Sequence, residues 1–257
     1  MIKLKLIFLI SVVLATNIFA SYKYDDPTLG NIALEAGIWQ NSVGGTISNN
    51  RSTTDIQKDL NFDQEVITYF GMDLKNDIDW LPNIYINYFL LNSSADSVLT
   101  DIKYVDNVRF SGDVSSSIDY AETNMILYGF LQQGPFEFDM GLNLKYIDFE
   151  QKLTENRTNG NKVIINGPTD IIPVPYLALK IDLYFIDTVL KAQTSLFSIG
   201  NTQIQDYAYS LNYRVMRNMY LSYGYRYNSF KATNQDNDYE KYNITASGSY
   251  ISCKIMF

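Results

Sequence analysis

Charged side chains in this chain recur at every second position of several segments. In Phe136–Tyr146, charged, polar or small residues alternate with large apolar residues over eleven positions. This period of two is that of a β-strand, whose successive side chains point to opposite faces. Because both signs occur on the charged face, we expect these groups to form ion pairs if that face is enclosed. The candidate charge network consists of Glu137, Asp139, Lys145, Lys180, Asp182, Arg214 and Arg226.

Catalytic chemistry has little support in the residue types. The chain has no His and one Cys, so a Ser nucleophile would lack its usual base, and a zinc site would lack its usual ligands. Asp236, Asp238 and Glu240 form an acidic cluster, but they lack the glycine and spacing of a calcium loop. We therefore expect no enzymatic role, no metal site and no cofactor.

The alternating segments are long enough to cross a bilayer. A tilted transmembrane strand needs about 9–11 residues, whereas strands of soluble sandwiches usually have about 5–6. Ten segments can be identified, an even number, as a single-chain barrel requires. This predicts an all-β, closed, antiparallel up-and-down transmembrane β-barrel of ten strands, or of eight if 32–47 or 188–198 is not a strand. The segments are 32–47, 65–75, 83–92, 119–131, 136–146, 177–184, 188–198, 207–215, 219–228 and 240–257.

Both ends of the chain suggest export. Residues 1–20 combine Lys3 and Lys5 with a short apolar run and Ala20, a pattern typical of a cleavable signal peptide. The barrel domain would then be 21–257. The final alternating strand ends on Phe257, which we interpret as an assembly signal for the barrel assembly machinery. These features predict location in a bacterial outer membrane.

The connections alternate in length, as outer-membrane barrels require. Short turns are predicted at 76–82, 132–135, 185–187 and 216–218, and long polar loops at 48–64, 93–118, 149–172 and 232–239. We expect Trp39 and Trp80 to contribute to the aromatic girdles at the membrane interfaces. Leu142 should face lipid, and Gly141 should face the lumen and tolerate substitution by serine.

Several motifs resemble a family of small outer-membrane β-barrel proteins best known from ε-proteobacteria. That family has no agreed biochemical activity, so the resemblance implies architecture and location only. It implies no catalytic residues. The motifs are Leu34–Gln40 with Gly44 and Gly45, Leu81–Ile84, Pro173–Leu177, Tyr223–Tyr227 and the terminal Phe257.

The predicted lumen is charged but balanced. Its inward positions carry six acids (Glu35, Asp73, Glu137, Asp139, Asp182, Glu240) and seven bases (Lys75, Lys145, Lys180, Lys191, Arg214, Arg226, Lys254). A selective pore usually shows a ring of one sign, so mixed signs favour a filled lumen.

Two functions therefore stay open: a structural or surface-interaction barrel with a largely filled lumen, or a small-solute channel of low conductance. Without residues 1–20 the chain has 28 acidic and 18 basic residues, a net charge of −10, which disfavours nucleic-acid binding. The expected partners are outer-membrane lipids, including lipopolysaccharide.

Overall fold

A computed structural model describes residues 31–76, 78, 80–166, 171–183, 186–194, 202–233 and 241–257. The predicted signal peptide and Glu240 lie outside these residues. Within the described ranges, no helix is long and apolar enough to cross a membrane.

Twelve β-strands make up the described structure. Their bounds are β1 Ile32–Ser48, β2 Thr53–Asp55, β3 Gln64–Leu74, β4 Asn83–Val105, β5 Val108–Gln133, β6 Phe136–Glu155, β7 Lys162–Asn166, β8 Ile171–Asp182, β9 Ile186–Thr194, β10 Thr202–Met216, β11 Met219–Thr233 and β12 Lys241–Met256.

Ten of these strands form a closed antiparallel ring in the order β1, β3, β4, β5, β6, β8, β9, β10, β11, β12. The ring closes where β12 pairs with β1, from Ala33 opposite Met256 to Ser48 opposite Lys241. Closure pairs the strand edges that would otherwise be unsatisfied in lipid. The ten-stranded prediction is confirmed, and the eight-stranded alternative is wrong because 32–47 and most of 188–198 lie in ring strands.

The two ends of the barrel differ. At one end, which we call the turn end, Gly134–Pro135 and Arg217–Asn218 connect strands tightly, and the Phe257 backbone N–H donates to the Ile32 carbonyl at 2.7 Å. At the opposite end, which we call the loop end, β4, β5 and β6 extend well past the length needed to cross a bilayer.

The strands of the loop end correct the predicted loops. Most of 93–118 is not a loop but the far half of the β4–β5 hairpin, which turns at Asp106 and Asn107 with φ of 48° and 60°. Asn and Asp tolerate this left-handed backbone, which a two-residue hairpin requires. Residues 149–172 likewise contain the end of β6 and the added strand β7, and 48–64 contains β2. The alternation there was missed because polar residues occupy inward as well as outward positions, such as the buried Ser93, Ser116 and Gln151.

Large apolar side chains are exposed around the ring at the turn-end half, as a lipid-facing surface requires. Trp39 is an exception to the expected girdle: it is 1% exposed, on the inward face of β1 in phase with Glu35. Trp80 is 67% exposed. The exposed apolar residues include Ile32, Leu34, Ile38, Val66, Phe70, Leu90, Phe136, Phe138, Leu177, Leu190, Leu211, Leu221 and Ile251.

The expectation that Gly141 tolerates a side chain is wrong. It lies on the inward face of β6, where a Cβ atom would be 2.1 Å from the Leu127 carbonyl oxygen and 2.8 Å from Tyr128 Cα. Because both obstacles are backbone atoms of the neighbouring strand, no side-chain rotation relieves the clash.

Candidate functional site

Four charged side chains meet across the barrel interior: Glu122 on β5, Lys145 on β6, Asp206 on β10 and Arg226 on β11. Lys145 Nζ lies 2.7 Å from Glu122 Oε1 and 3.0 Å from Asp206 Oδ2. Arg226 Nη2 lies 3.0 Å from Glu122 Oε1 and 2.5 Å from Asp206 Oδ2. Each cation thus contacts both anions, and the four charges cancel. We call these four residues the charge ring.

Neutral donors complete the coordination of Glu122. The Tyr120 hydroxyl donates to Oε2 at 2.6 Å, Asn228 donates to Oε2 at 2.8 Å, and Asn124 donates to Oε1 at 2.7 Å. Glu122 and Lys145 are fully buried. Burying charges costs several kcal/mol per ion, and it is offset only when the geometry is good and the remaining lone pairs are satisfied. The charge ring meets both conditions, so it acts as a rigid strut between opposite walls.

The loop-end side of the charge ring is apolar. The Arg226 guanidinium lies 4.9 Å from the Phe89 ring centroid and 5.3 Å from that of Trp39, a cation–π arrangement. Beyond these rings, most inward residues of β5, β6, β10 and β11 are apolar and buried, with Ser116, Gln151 and Thr202 as buried polar residues among them. The apolar ones include Val114, Ile118, Ile147, Phe149, Leu153, Ile204 and Phe230, and they belong to one continuous apolar core.

The turn-end side of the charge ring is polar. Glu35 accepts hydrogen bonds from the hydroxyls of Tyr69 at 3.0 Å, Tyr85 at 3.1 Å and Ser252 at 2.8 Å. Lys191 Nζ lies 5.1 Å from the centroid of the Tyr85 ring. Between this group and the charge ring is a cavity of about 60 Å³. Glu35, Lys191, Asp206 and Arg226 line it together with Trp39 and Ile126, and the charged groups are suitable partners for water molecules.

A second ion pair lies closer to the turn end. Lys254 Nζ lies 3.1 Å from Asp73 Oδ2, and the Tyr128 hydroxyl donates to Asp73 Oδ1 at 2.8 Å. Thus Asp73, Lys254, Glu35 and Lys191 all face inward, as the strand phases predict.

The structure separates the residues of the predicted charge network. Lys145 and Arg226 belong to the charge ring. Glu137 and Lys180 are opposite each other on β6 and β8, and their charged groups are 3.9 Å apart, near the turn end. Lys145 and the Glu137–Lys180 pair therefore belong to separate groups, because they lie at different heights in the barrel.

The remaining predicted residues are also inward but outside the charge ring. Asp182 is opposite Asp187 on β9, and Arg214 lies 5.3 Å from the Tyr220 ring centroid. The Asp139 Oδ1 atom is buried without a hydrogen-bond partner among the described residues. Each of these side chains is therefore a wall residue near the turn end and takes no part in the central strut.

Sequence reasoning missed both anions of the charge ring. Glu122 lies within the predicted strand 119–131, and its alternation with Tyr120 and Asn124 marks the inward face. Asp206 lies one residue before the predicted strand 207–215, which begins too late by five residues. The partners across the barrel carry no sequence signal, since Arg226 and Glu122 are 104 positions apart.

Among the described residues, no group of three or more His, Cys, Asp or Glu side chains is placed to hold a metal ion. The cations that satisfy Glu122 and Asp206 are Lys145 and Arg226. The chemistry of the site is therefore ion pairing and hydrogen bonding.

No family model matches the chain, and no curated protein does. Solved structures do match. The outer membrane protease OmpT from Escherichia coli superposes with a TM-score of 0.60 at 9% identity, over 93% of this chain and 100% of that one. The translocator domain of the autotransporter NalP from Neisseria meningitidis gives a TM-score of 0.45 at 8% identity, over 95% and 93%.

The closed ring, the exposed apolar belt and the superposition on OmpT agree. The chain is an outer-membrane β-barrel. At 9% identity the likeness establishes the fold and not the activity of OmpT. The resemblance to the ε-proteobacterial family stays a prediction.

Proposed function

We propose that this outer-membrane β-barrel is a non-conducting scaffold of structural or surface-interaction type, with no enzymatic role. The observation that carries the proposal is the blocked interior. A balanced charge ring joins opposite walls, and an apolar core follows directly on its loop-end side. Water and ions need a continuous polar path, and an apolar constriction excludes them by dewetting.

The loop end supplies the surface of such a scaffold. The β4–β5 hairpin and β6 extend past the bilayer and pack around apolar residues such as Val105, Phe110 and Leu153. The extension is therefore a folded layer and not a set of solvated loops. Rigid elements that carry surface loops are common platforms for binding. In the proposed orientation the loop end faces outward, with the turn end and Phe257 toward the periplasm.

The non-enzymatic part of the proposal rests on residue types. The chain has no His, and its buried carboxylates Glu122 and Asp206 are each held by two cations. A carboxylate fixed in that way is a poor proton acceptor, whereas a general base must accept a proton readily. The proposed partners are the lipids of the outer membrane, lipopolysaccharide among them, and the barrel assembly machinery during insertion.

Single-channel recording in a planar bilayer tests the proposal. The parent barrel should give no stable conductance steps. Phe149→Ala with Phe230→Ala removes an aromatic pair from the apolar core, whose ring centroids are 6.1 Å apart, and should raise conductance. The matched control is Phe136→Ala with Phe138→Ala, which removes two aromatic rings from the lipid face. Large, stable conductance in the parent would instead establish the alternative, a small-solute channel.

A further inference from the structure

The outer face of the barrel carries two neighbouring lysines that form no ion pair with any described residue. Lys231 on β11 and Lys241 on β12 are both exposed and point outward, because Ala232 and Tyr242 beside them are buried in the interior. Neither lysine has an ion-pair partner among the described residues. The whole chain has a net charge of −8, so two adjacent unpaired cations stand out.

Neutral polar side chains surround the two lysines. Together they line a concave region of about 450 Å³ at the loop end of four neighbouring strands, β10, β11, β12 and β1. Asp55 lies opposite Thr46, and its Oδ1 accepts the backbone N–H groups of Gln57 and Lys58. We call this region the lysine groove. Its outward members are Thr46, Ser48, Gln203, Lys231, Thr233, Lys241 and Asn243.

Stacked tyrosines mark the height of the lysine groove relative to the membrane. Tyr207 and Tyr227 stack with centroids 6.4 Å apart, and Tyr209 and Tyr225 stack at 6.3 Å just below them. Outward aromatic rings form girdles at the membrane interface. Lys231 follows Tyr227 by four residues on the same face, about 13 Å along the strand. The lysine groove therefore lies at the level of lipid headgroups.

The opposite side of the barrel has the opposite charge at its loop end. Asp119 on β5 lies directly opposite Glu150 on β6, and Asp148 is exposed beside them. Lys152 is neutralised by Glu150 at 2.6 Å, and Lys162 on β7, opposite Thr154 of β6, is exposed. The three acids Asp119, Asp148 and Glu150 outnumber these two lysines, so an anionic ligand is favoured at the lysine groove over the β5–β6 side.

We propose that the lysine groove binds the phosphorylated saccharide headgroup of lipopolysaccharide in the outer leaflet. The lysines pair with phosphate, the neutral polar residues hydrogen-bond to sugar hydroxyls, and the tyrosines pack against the sugar and the first acyl carbons. The proposal rests on the lipopolysaccharide partner of the proposed function and assigns it a site, but it does not depend on whether the lumen conducts.

Binding is measured on the folded barrel in detergent, with EDTA present so that divalent cations cannot bridge the acids of 234–240 to phosphate. The probes are lipid A with both phosphates, the same lipid A after dephosphorylation, and inorganic phosphate. The variant is Lys231→Gln with Lys241→Gln, the control is Lys152→Gln on the acidic side, and Lys231→Arg with Lys241→Arg restores the charge. Because Lys231 and Lys241 are exposed and Lys152 is partly exposed, the variants should fold, and the shift of band mobility on heating verifies that they do.

The parent should bind phosphorylated lipid A and discriminate against the dephosphorylated form. Affinity should fall about fivefold for each lysine removed. It should return with arginine, and it should not fall in Lys152→Gln. Equal binding of both lipids, an equal loss in Lys152→Gln, or saturation by inorganic phosphate at the same sites would overturn the proposal. So would a lipid-independent dimer that the glutamine variants dissociate, since the lysine groove would then be an interface between copies. Conductance is not a readout here, so this outcome is separate from that of the proposed function.

Discussion

The ammonium nitrogen of Lys145 lies 2.7 Å from Oε1 of Glu122, and both side chains are fully enclosed by the barrel. The two residues come from neighbouring strands, yet each also contacts a residue of the opposite wall, Asp206 and Arg226 respectively. Because water does not reach Lys145 or Glu122, the loss of one charge leaves its partner without a substitute, and the barrel should become less stable.

Substitution of Lys145 by methionine should strongly destabilise the folded barrel. Glu122 and Asp206 would then share a single cation, and removing one partner of a buried pair costs about 3–5 kcal/mol. Urea unfolding in lipid vesicles measures the loss. Combining Lys145→Met with Glu122→Gln should recover part of it, because the uncompensated charge is removed.

The matched control for that experiment is Lys180→Met. Lys180 Nζ is 3.9 Å from Glu137 Oε2, and both side chains are partly exposed near the turn end. A pair of this kind contributes at most about 1 kcal/mol. If the two methionine variants had equal effects, the charge ring would not be a structural strut.

Leu142 and Gly141 should respond to substitution for different reasons. Leu142 follows the outward phase of Met140 and Leu144 on β6, and its side chain is only 5% exposed. Leu142→Arg should cost about 2–4 kcal/mol of folding free energy. Gly141→Ser should also be costly, in the upper part of about 1–3 kcal/mol, because its Cβ would meet the Leu127 carbonyl at 2.1 Å.

Folding into vesicles of both variants measures these costs, with Met140→Leu as the conservative control. Normal folding of Leu142→Arg would show that the strand phase is inverted. A mild effect of Gly141→Ser would show that β5 and β6 can separate at this point.

The loop end should loosen at acid pH through Glu155. Burial tends to raise the pKa of this carboxyl, but the backbone N–H groups of Asn161 and Ser111, at 3.0 and 2.9 Å, and the Arg157 guanidinium outweigh it and lower the pKa. A carboxylate with a lowered folded-state pKa stabilises the fold above its ordinary pKa, and that contribution is lost as the pH falls through the folded-state pKa.

Hydrogen exchange of the turn 156–161 measures this effect. After correction for the intrinsic rate, protection should be constant near neutral pH and fall as the pH drops from about 5 to about 3. Glu155→Gln should show reduced protection at neutral pH and little further change on acidification. The same acid-dependent loss in Glu155→Gln would assign the effect to another group.

Deletion of Phe257 should lower the amount of assembled barrel in the outer membrane. Phe257 exchanges backbone hydrogen bonds with Ile32 at the closing seam, and its side chain is exposed. Membrane fractionation together with heat-dependent band mobility measures assembly, and Phe257→Tyr is the control that keeps an aromatic terminus. Unchanged assembly without Phe257 would remove its role as a signal.

The sequence by itself determined the strand phases and the ten-stranded ring. An alternation such as Phe136–Tyr146 is local: each side chain is assigned to a face by its neighbours two positions away, and eleven residues are enough to read it. For this reason the inward placement of Glu35, Lys145, Lys180 and Arg226 was predicted correctly. The same rule assigned Leu142 to the outward phase, but its side chain is only 5% exposed and is not open to lipid as expected.

Only the tertiary structure decided which inward residues meet. The height of a residue in a barrel depends on the stagger between strands, which no single strand encodes. Lys145 therefore pairs with Glu122 and Asp206 and not with Glu137, and Trp39 covers Arg226. Gly141 was misjudged because a clash with the backbone of β5 depends on how closely the strands pack. These contacts join positions up to 104 residues apart, so they arise only when the ring closes.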